Sequence, residues 1–237
     1  RVLLDILADP RLGPLSRLAA MRQLGAAQFH PVRFAPFHAE FIDRLRKAAL
    51  DDDADIRTAV LDRLTLTNDP EAQRLLREGL ENAGKSLVST AKAIQLLARD
   101  DHGSGLTIFR DLAAKGSGKV REEALRALVG DAESTSLFER LAADKDEDGS
   151  IRHIAMTNLR NVSVERFAEV ARKVVLDHDD DDKLRAAAVS AIAHTSEVAK
   201  AVVTPHFANA LESIASITKS RALKSSIGQF ARRLRGE

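Results

Sequence analysis

The sequence predicts an all-helical chain built as a stack of similar helix pairs, an α-solenoid. Three observations predict it. The first is a recurring pattern in "DADIRTAVLDRL" (53–64), "DGSIRHIAMTNL" (148–159) and "DDKLRAAAVSAI" (181–192). Each carries Asp, two residues, an aliphatic, Arg, and then small and aliphatic side chains at helical spacing. "SGKVREEALRAL" (117–128) fits with Ser for Asp, and "SLVSTAKAIQLL" (86–97) fits without the Arg. The anchor positions Ile56, Ser89, Val120, Ile151 and Leu184 are separated by 33, 31, 31 and 33 residues. A near-fixed period of this size marks stacked supersecondary units. The second observation is compositional: 44% of residues are apolar but only 4% aromatic, with no Trp or Tyr. Leu, Ala, Val and Ile must therefore build the core, which suits closely packed helices. The third is that no segment alternates with period two and no hairpin dipeptide joins alternating runs.

Each element has a local reason. The first copy runs through "VLLDILADPRLGPLSRLAAMRQL", with Gly13 at the cap and Pro14 at the first helical position, where a missing N–H costs nothing. In later copies the residue three before the anchor is Asp53, Ser86, Ser117, Asp148 or Asp181. All are good N-caps, whose side-chain oxygens satisfy free amides of the first turn. Apolar residues then fall at the anchor and at +4, +5 and +8, as in Ile151, Ala155, Met156 and Leu159. That spacing buries one stripe of a helix. An amphipathic first helix precedes each of these: "FHAEFIDRLRKAAL", "PEAQRLLREGL", "GLTIFRDLAA", "TSLFERLAA" and "VERFAEVARKVVL". Asp69 before Pro70, and Ser163 before Val164, are caps of two of them. The junction after the first copy is longer than the rest. Its extra segment, about 26–37, is rich in phenylalanine, and Phe29, Phe34, Phe37 and Phe41 lie in or beside it. It reads either as a cover over the first repeats' core or as an exposed contact site. The basic end, about 220–235, reads as a capping helix. It carries Lys219, Arg221, Lys224, Arg232, Arg233 and Arg235, which could also meet phosphates or an acidic protein.

With these copies in register, the chain resembles the HEAT repeat, particularly the short bacterial kind also found in bilin-lyase-type proteins. The resemblance covers nearly the whole chain in about six helix pairs and implies a right-handed solenoid in a single domain, 1–237. It also implies a ladder in which the turn acids Asp53, Asp148 and Asp181 pair along the stack with Arg57, Arg121, Arg152 and Arg185. Thr90 stands at the Arg position of the third copy, so the ladder is expected to break there.

Residues 144–155, "DKDEDGSIRHIA", spell most of a calcium-binding loop. The loop chemistry demands a bidentate Glu at its twelfth position and a ligand or water at the ninth. Here those positions hold Ala155, on the core stripe, and Arg152. The acids also recur as "DDDAD" (51–55) and "DHDDDD" (177–182), in register with the anchors. They are therefore expected to be caps and helix-dipole partners rather than a specific calcium site. "KGSGK" (115–119) lacks the strand–loop–helix setting of a phosphate loop. The seven histidines (His30, His38, His102, His153, His178, His194 and His206) show no metal-binding spacing apart from "DHDDDD" (177–182), which could hold a divalent ion loosely but reads as an acidic, solvated turn, and no cofactor is expected.

The charges balance, 36 basic against 35 acidic, which argues against a dedicated nucleic-acid binder. No apolar run is long enough for a membrane span, and no signal peptide is visible. The lack of Cys excludes disulfides and thiolate chemistry within these residues and is compatible with a reducing cytoplasm, the expected compartment. Because the chain begins at Arg1, it reads as a fragment of a longer one.

The functional expectation is a non-catalytic scaffold that binds a protein or peptide partner on the concave face. Opposite the core stripe, positions +2, +6 and +10 place Arg22, Asp62, Gln95, Arg99, Arg126, His153, Thr157, Asn161 and His194 on one polar strip, with Thr58, Glu122 and Ser190 beside them. Phe34 and Phe37 form the rival surface. The alternative is an enzyme of the same fold, bilin lyase-like or DNA glycosylase-like, or phosphate binding by the basic last helix.

Overall fold

The computed structural model describes all residues except 101, 102, 104, 196–202 and 235–237. His102 and Arg235 thus lie outside the described residues. Among the described residues the chain is helical throughout, with fourteen α-helices and no strand. The contacts sort into two compact units, Arg1–Ile108 and Phe109–Glu237.

Unit 1 contains α1 (Val2–Ala8), α2 (Pro14–Ala27), α3 (Pro31–Ala48), α4 (Ala54–Thr65), α5 (Pro70–Glu81) and α6 (Thr90–Leu97). Unit 2 holds the body of α7 (Leu106–Lys115), then α8 (Gly118–Ala127), α9 (Thr135–Ala143) and α10 (Gly149–Val162). It continues with α11 (Val164–Leu176), α12 (Asp182–His194), α13 (Pro205–Ile217) and α14 (Arg221–Leu234). In unit 1 the second helices pack on one another, α2 on α4 and α4 on α6, while first helix α1 packs on first helix α3. Unit 2 repeats the scheme with α8 on α10, α10 on α12, α12 on α14, and α9 on α11. Each unit is thus two layers of helices with the apolar stripes between them. Ile56, Val60, Leu61 and Leu64 are all buried, as are Ile151, Ala155, Met156 and Leu159, and Leu184, Ala188, Val189 and Ile192. No described helix is long and apolar enough to cross a membrane.

The caps act as their residue types demand. Asp53 accepts hydrogen bonds from the Asp55 and Ile56 amides, Asp148 from Ser150, Asp181 from Leu184, Asp69 from Glu71 and Ala72, and Ser163 from Arg166. Pro14 opens α2 after Gly13. Two expectations are corrected. Ser86 is not the N-cap of α6, and Ser89 is its exposed cap rather than a core anchor. The reason is local: Asn82 accepts from the Gly84 amide and starts a 3-10 turn over Ala83–Lys85, so α6 begins a turn late. The supposed insertion over 26–37 is also mostly helix. Its extra length goes into α3, which runs for 18 residues. Pro36 lies inside α3 and leaves the Val32 carbonyl without its helical donor. Val32 itself is 88% exposed. Phe34 and Phe41 turn inward and meet edge to face at 5.7 Å, whereas Phe37 is half-buried.

The arginine ladder exists but with other acids. Arg152 makes a two-pronged pair with Asp180 at 2.6 and 2.7 Å, and its Nε donates to the Ala142 carbonyl. Arg121 pairs with Glu147 and donates to the Ala113 carbonyl. Arg17 pairs with Asp51 and donates to the Leu7 carbonyl. Each of these arginines ties the end of its own first helix to the next interhelix turn. Asp53, Asp148 and Asp181 are not the partners, because their carboxylates already accept amides of their own helices. The residue one or two positions earlier faces the preceding copy instead. Arg57 reaches the carbonyls of Asp51, Asp52 and Leu87, and Arg185 stays within its own copy on Asp182 and Val175.

Candidate functional site

In unit 2, α10, α12 and α14 leave a groove made of two adjoining cavities. The first, about 350 Å³, is walled by His153, Thr157 and Arg160 of α10 and by Ser190 and His194 of α12. Met156 and Phe167 form its apolar floor. Residues 153, 157 and 160 share a helix face because successive turns return there every three or four positions. The second, about 270 Å³, shares Ser190 and His194 and adds Ser226, Gln229, Arg232 and Arg233 of α14. Ser190 and Ser226, 36 positions apart in the chain, meet through their hydroxyls at 3.1 Å and join the two halves.

His194 has the most defined chemistry here. Its Nδ1 lies 2.8 Å from the Ser190 carbonyl oxygen, which can only accept, so Nδ1 carries the hydrogen. In the neutral ring Nε2 is then the acceptor, and it has no partner among the described residues. The Thr157 hydroxyl donates to the His153 carbonyl, which leaves its oxygen lone pairs for a ligand. Arg160, Arg232 and Arg233 make no ion pair among the described residues. The site therefore offers guanidinium groups, hydroxyls and an oriented imidazole over an apolar floor.

The expected polar strip is divided by this geometry. His153, Thr157 and His194 line the groove, while Asn161, one turn beyond Thr157, is exposed outside it. Arg126 pairs with Glu122 and Glu123 on its own helix. In unit 1, Arg22 and Gln95 are exposed and Asp62 is bound by Lys92 at 3.2 Å and Arg99 at 3.1 Å. Burial pushes the Asp62 carboxyl up, but those two cations outweigh it and hold it below its ordinary range. Phe34 is core, and Phe37 borders a separate cavity. Arg160 was missed because it lies off the +2, +6, +10 series. Arg232 and Arg233 were visible as charge, but nothing local placed them beside His194.

The acidic turns are occupied by the protein itself. Asp144 accepts the Asp146 amide, Asp148 caps α10, and Glu147 holds Arg121. In the next turn Asp177 pairs with Lys145 and Asp180 with Arg152. The Ser150 hydroxyl and amide hold Asp148 below its ordinary value, and Lys145 does the same for Asp177. In the glycine-rich segment, Lys115 pairs with Asp111 and Lys119 with Glu123. No group of three His, Cys, Asp or Glu side chains comes together as a metal site among the described residues. Millimolar calcium is expected to leave the melting temperature unchanged, since a ligand bound only by the folded state must raise it. A rise that disappears in Asp144→Ala would overturn this assignment.

No family model matches the chain, and no curated protein matches it in sequence. Among solved structures, human deoxyhypusine hydroxylase in complex with glycerol aligns over 100% of this chain and 96% of its own, at 15% identity and a TM-score of 0.41. That protein is by name an enzyme, and the expectation of a non-catalytic scaffold, with it the expectation that the chain is not an enzyme, is corrected on that finding. At this identity and TM-score the likeness transfers no residue role, substrate or chemistry to the chain.

Proposed function

We propose that unit 2 is an acid–base site for a small phosphate-bearing molecule, set in a HEAT-like array of helix pairs. The observation that carries it is His194, fixed through Nδ1 on the Ser190 carbonyl with Nε2 unpartnered, in the wall shared by two cavities that also hold Arg160, Arg232 and Arg233. Guanidinium groups suit phosphate because their planar donors match its oxygens two at a time. An imidazole held at one nitrogen and free at the other can take a proton from a bound hydroxyl or return one. Ser190, Ser226 and Thr157 supply hydrogen bonds that orient the ligand, and Met156 and Phe167 accept its apolar part. The helix-pair reading is supported by the recurring register and by the Arg17, Arg121 and Arg152 links between copies.

Inorganic pyrophosphate is the probe. It is expected to shift the imidazole NMR signals of His153 and His194 in the full chain. Arg232→Gln with Arg233→Gln is expected to weaken its affinity at least about ten-fold, a difference of about 1.4 kcal/mol. Diethylpyrocarbonate should carbethoxylate His194, and pyrophosphate should protect it. Unmoved histidine signals, or an affinity indifferent to the arginine pair, would remove the proposal.

A further inference from the structure

At the start of unit 1 a second kind of cavity opens, about 270 Å³, and its chemistry is unlike that of the groove. Its walls are apolar: Leu3, Leu4, Leu24, Phe34 and Phe37 line it. Its rim is basic. His30 and Arg33 line it too, both are exposed, and neither side chain has a hydrogen bond or ion pair among the described residues. Nearby cations are used differently: Arg44 is held by Glu40 and Asp5, and Arg1, which also lines the cavity, lies 4.0 Å from Glu40. The rim also lies where α3 begins. His30 is its N-cap residue but gives no side-chain cap, and the first turn contains no acidic residue. The positive end of the helix thus adds to the two side chains.

We propose that this cavity binds an amphipathic monoanion, an unbranched or lightly branched acyl chain ending in a carboxylate. The acyl chain lies against the leucines and phenylalanines, and the carboxylate sits between Arg33 and His30. An uncharged alcohol would leave the two basic groups without a partner, and an alkylammonium would meet Arg33 with like charge. Small-ligand sites commonly have this form, mostly apolar with a few placed polar groups. The occupant is fixed by charge complementarity at the rim and by the cavity's depth, which reaches Leu4 and Leu24, both buried side chains. The proposal is independent of the groove in unit 2.

The experiment titrates the full chain with hexanoate and octanoate, and with octanol and octylammonium as controls, by calorimetry. Octanoate is expected to bind at least about ten-fold more tightly than either control. From hexanoate to octanoate the affinity should rise about three- to four-fold per added methylene. Arg33→Gln with His30→Gln changes two exposed side chains and should leave the melting temperature of the free protein in place. It should bring octanoate down to the affinity of octanol. Leu3→Ser, which removes part of the wall and keeps both basic side chains, should weaken octanoate and octanol alike. Equal binding of octanoate and octanol by the unaltered chain would overturn the proposal, as would octanoate affinity that survives the double substitution. So would sedimentation showing that the chain self-associates and that no octanoate binds, since a second copy would then be the occupant.

Discussion

Arg152→Ala is expected to cost about 3–5 kcal/mol of folding stability, the range for removing one partner of a buried ion pair. The Arg152 side chain is 4% exposed and the Asp180 side chain 3%. Truncation leaves the Asp180 carboxylate buried with only the Asp181 amide, and strips the Ala142 carbonyl of its donor. Burial pushes the Asp180 carboxyl up. In the intact protein the two Arg152 bonds and the Asp181 amide outweigh burial and hold it below the ordinary aspartate value. The sign follows. A depressed folded-state pKa stabilises above the unfolded value of about 3.9, and that stability is lost as pH falls through the folded value. In the variant the cation is gone and burial dominates, so protonation relieves it. The gap between the two proteins should therefore be widest near neutrality and narrow below about pH 4. Urea denaturation across pH measures both. Replacing the pair together, Arg152→Met with Asp180→Ala, should recover most of the loss, because no unpaired charge remains. Equal stability of Arg152→Ala and the parent at neutral pH would show that the pair contributes nothing.

The same pair shows where sequence reasoning ends. The stripe of Ile151, Ala155, Met156 and Leu159 and the cap at Asp148 were readable because both are local, governed by helix periodicity and by amides within three residues. Which of two adjacent acids caps and which turns to the preceding copy was not readable. Asp180 and Asp181 are chemically identical, and only the backbone of the turn separates their roles. The shifted start of α6 was hidden for a related reason: a 3-10 turn set by Asn82 displaced a serine cap by three residues. The groove lay further out of reach. His153, Thr157 and His194 were selected as a polar strip, but their meeting with Arg232 and Arg233 depends on α12 packing against α14. No local pattern encodes that contact. Within the expected strip, Asp62, Arg99 and Arg126 each pair with an opposite charge on a neighbour, and only the i,i+4 pairing of Arg126 with Glu122 follows from helix spacing.

Ala155→Glu is expected to destabilise by about 3 kcal/mol or more, and it tests the two readings of residues 144–155 against each other. If those residues formed a calcium loop, the substitution would supply its missing twelfth ligand, and calcium would stabilise the variant. The structure places Ala155 elsewhere. It is fully buried on α10, a helix packed against α8, α9, α11 and α12. A longer side chain there must displace close-packed neighbours, and its carboxylate has no designed donor to receive it. Burial raises the folded-state pKa of such a carboxyl above its unfolded value of about 4.3. The charged form is what the core rejects, so the penalty should grow as pH rises through that value and ease below it. Ala155→Gln separates the causes: it keeps the bulk and removes the titration, so its cost should be nearly independent of pH. Denaturation of both variants with and without calcium provides the measurement. A variant as stable as the parent, or one that calcium restores, would show that α10 does not present residue 155 to the core.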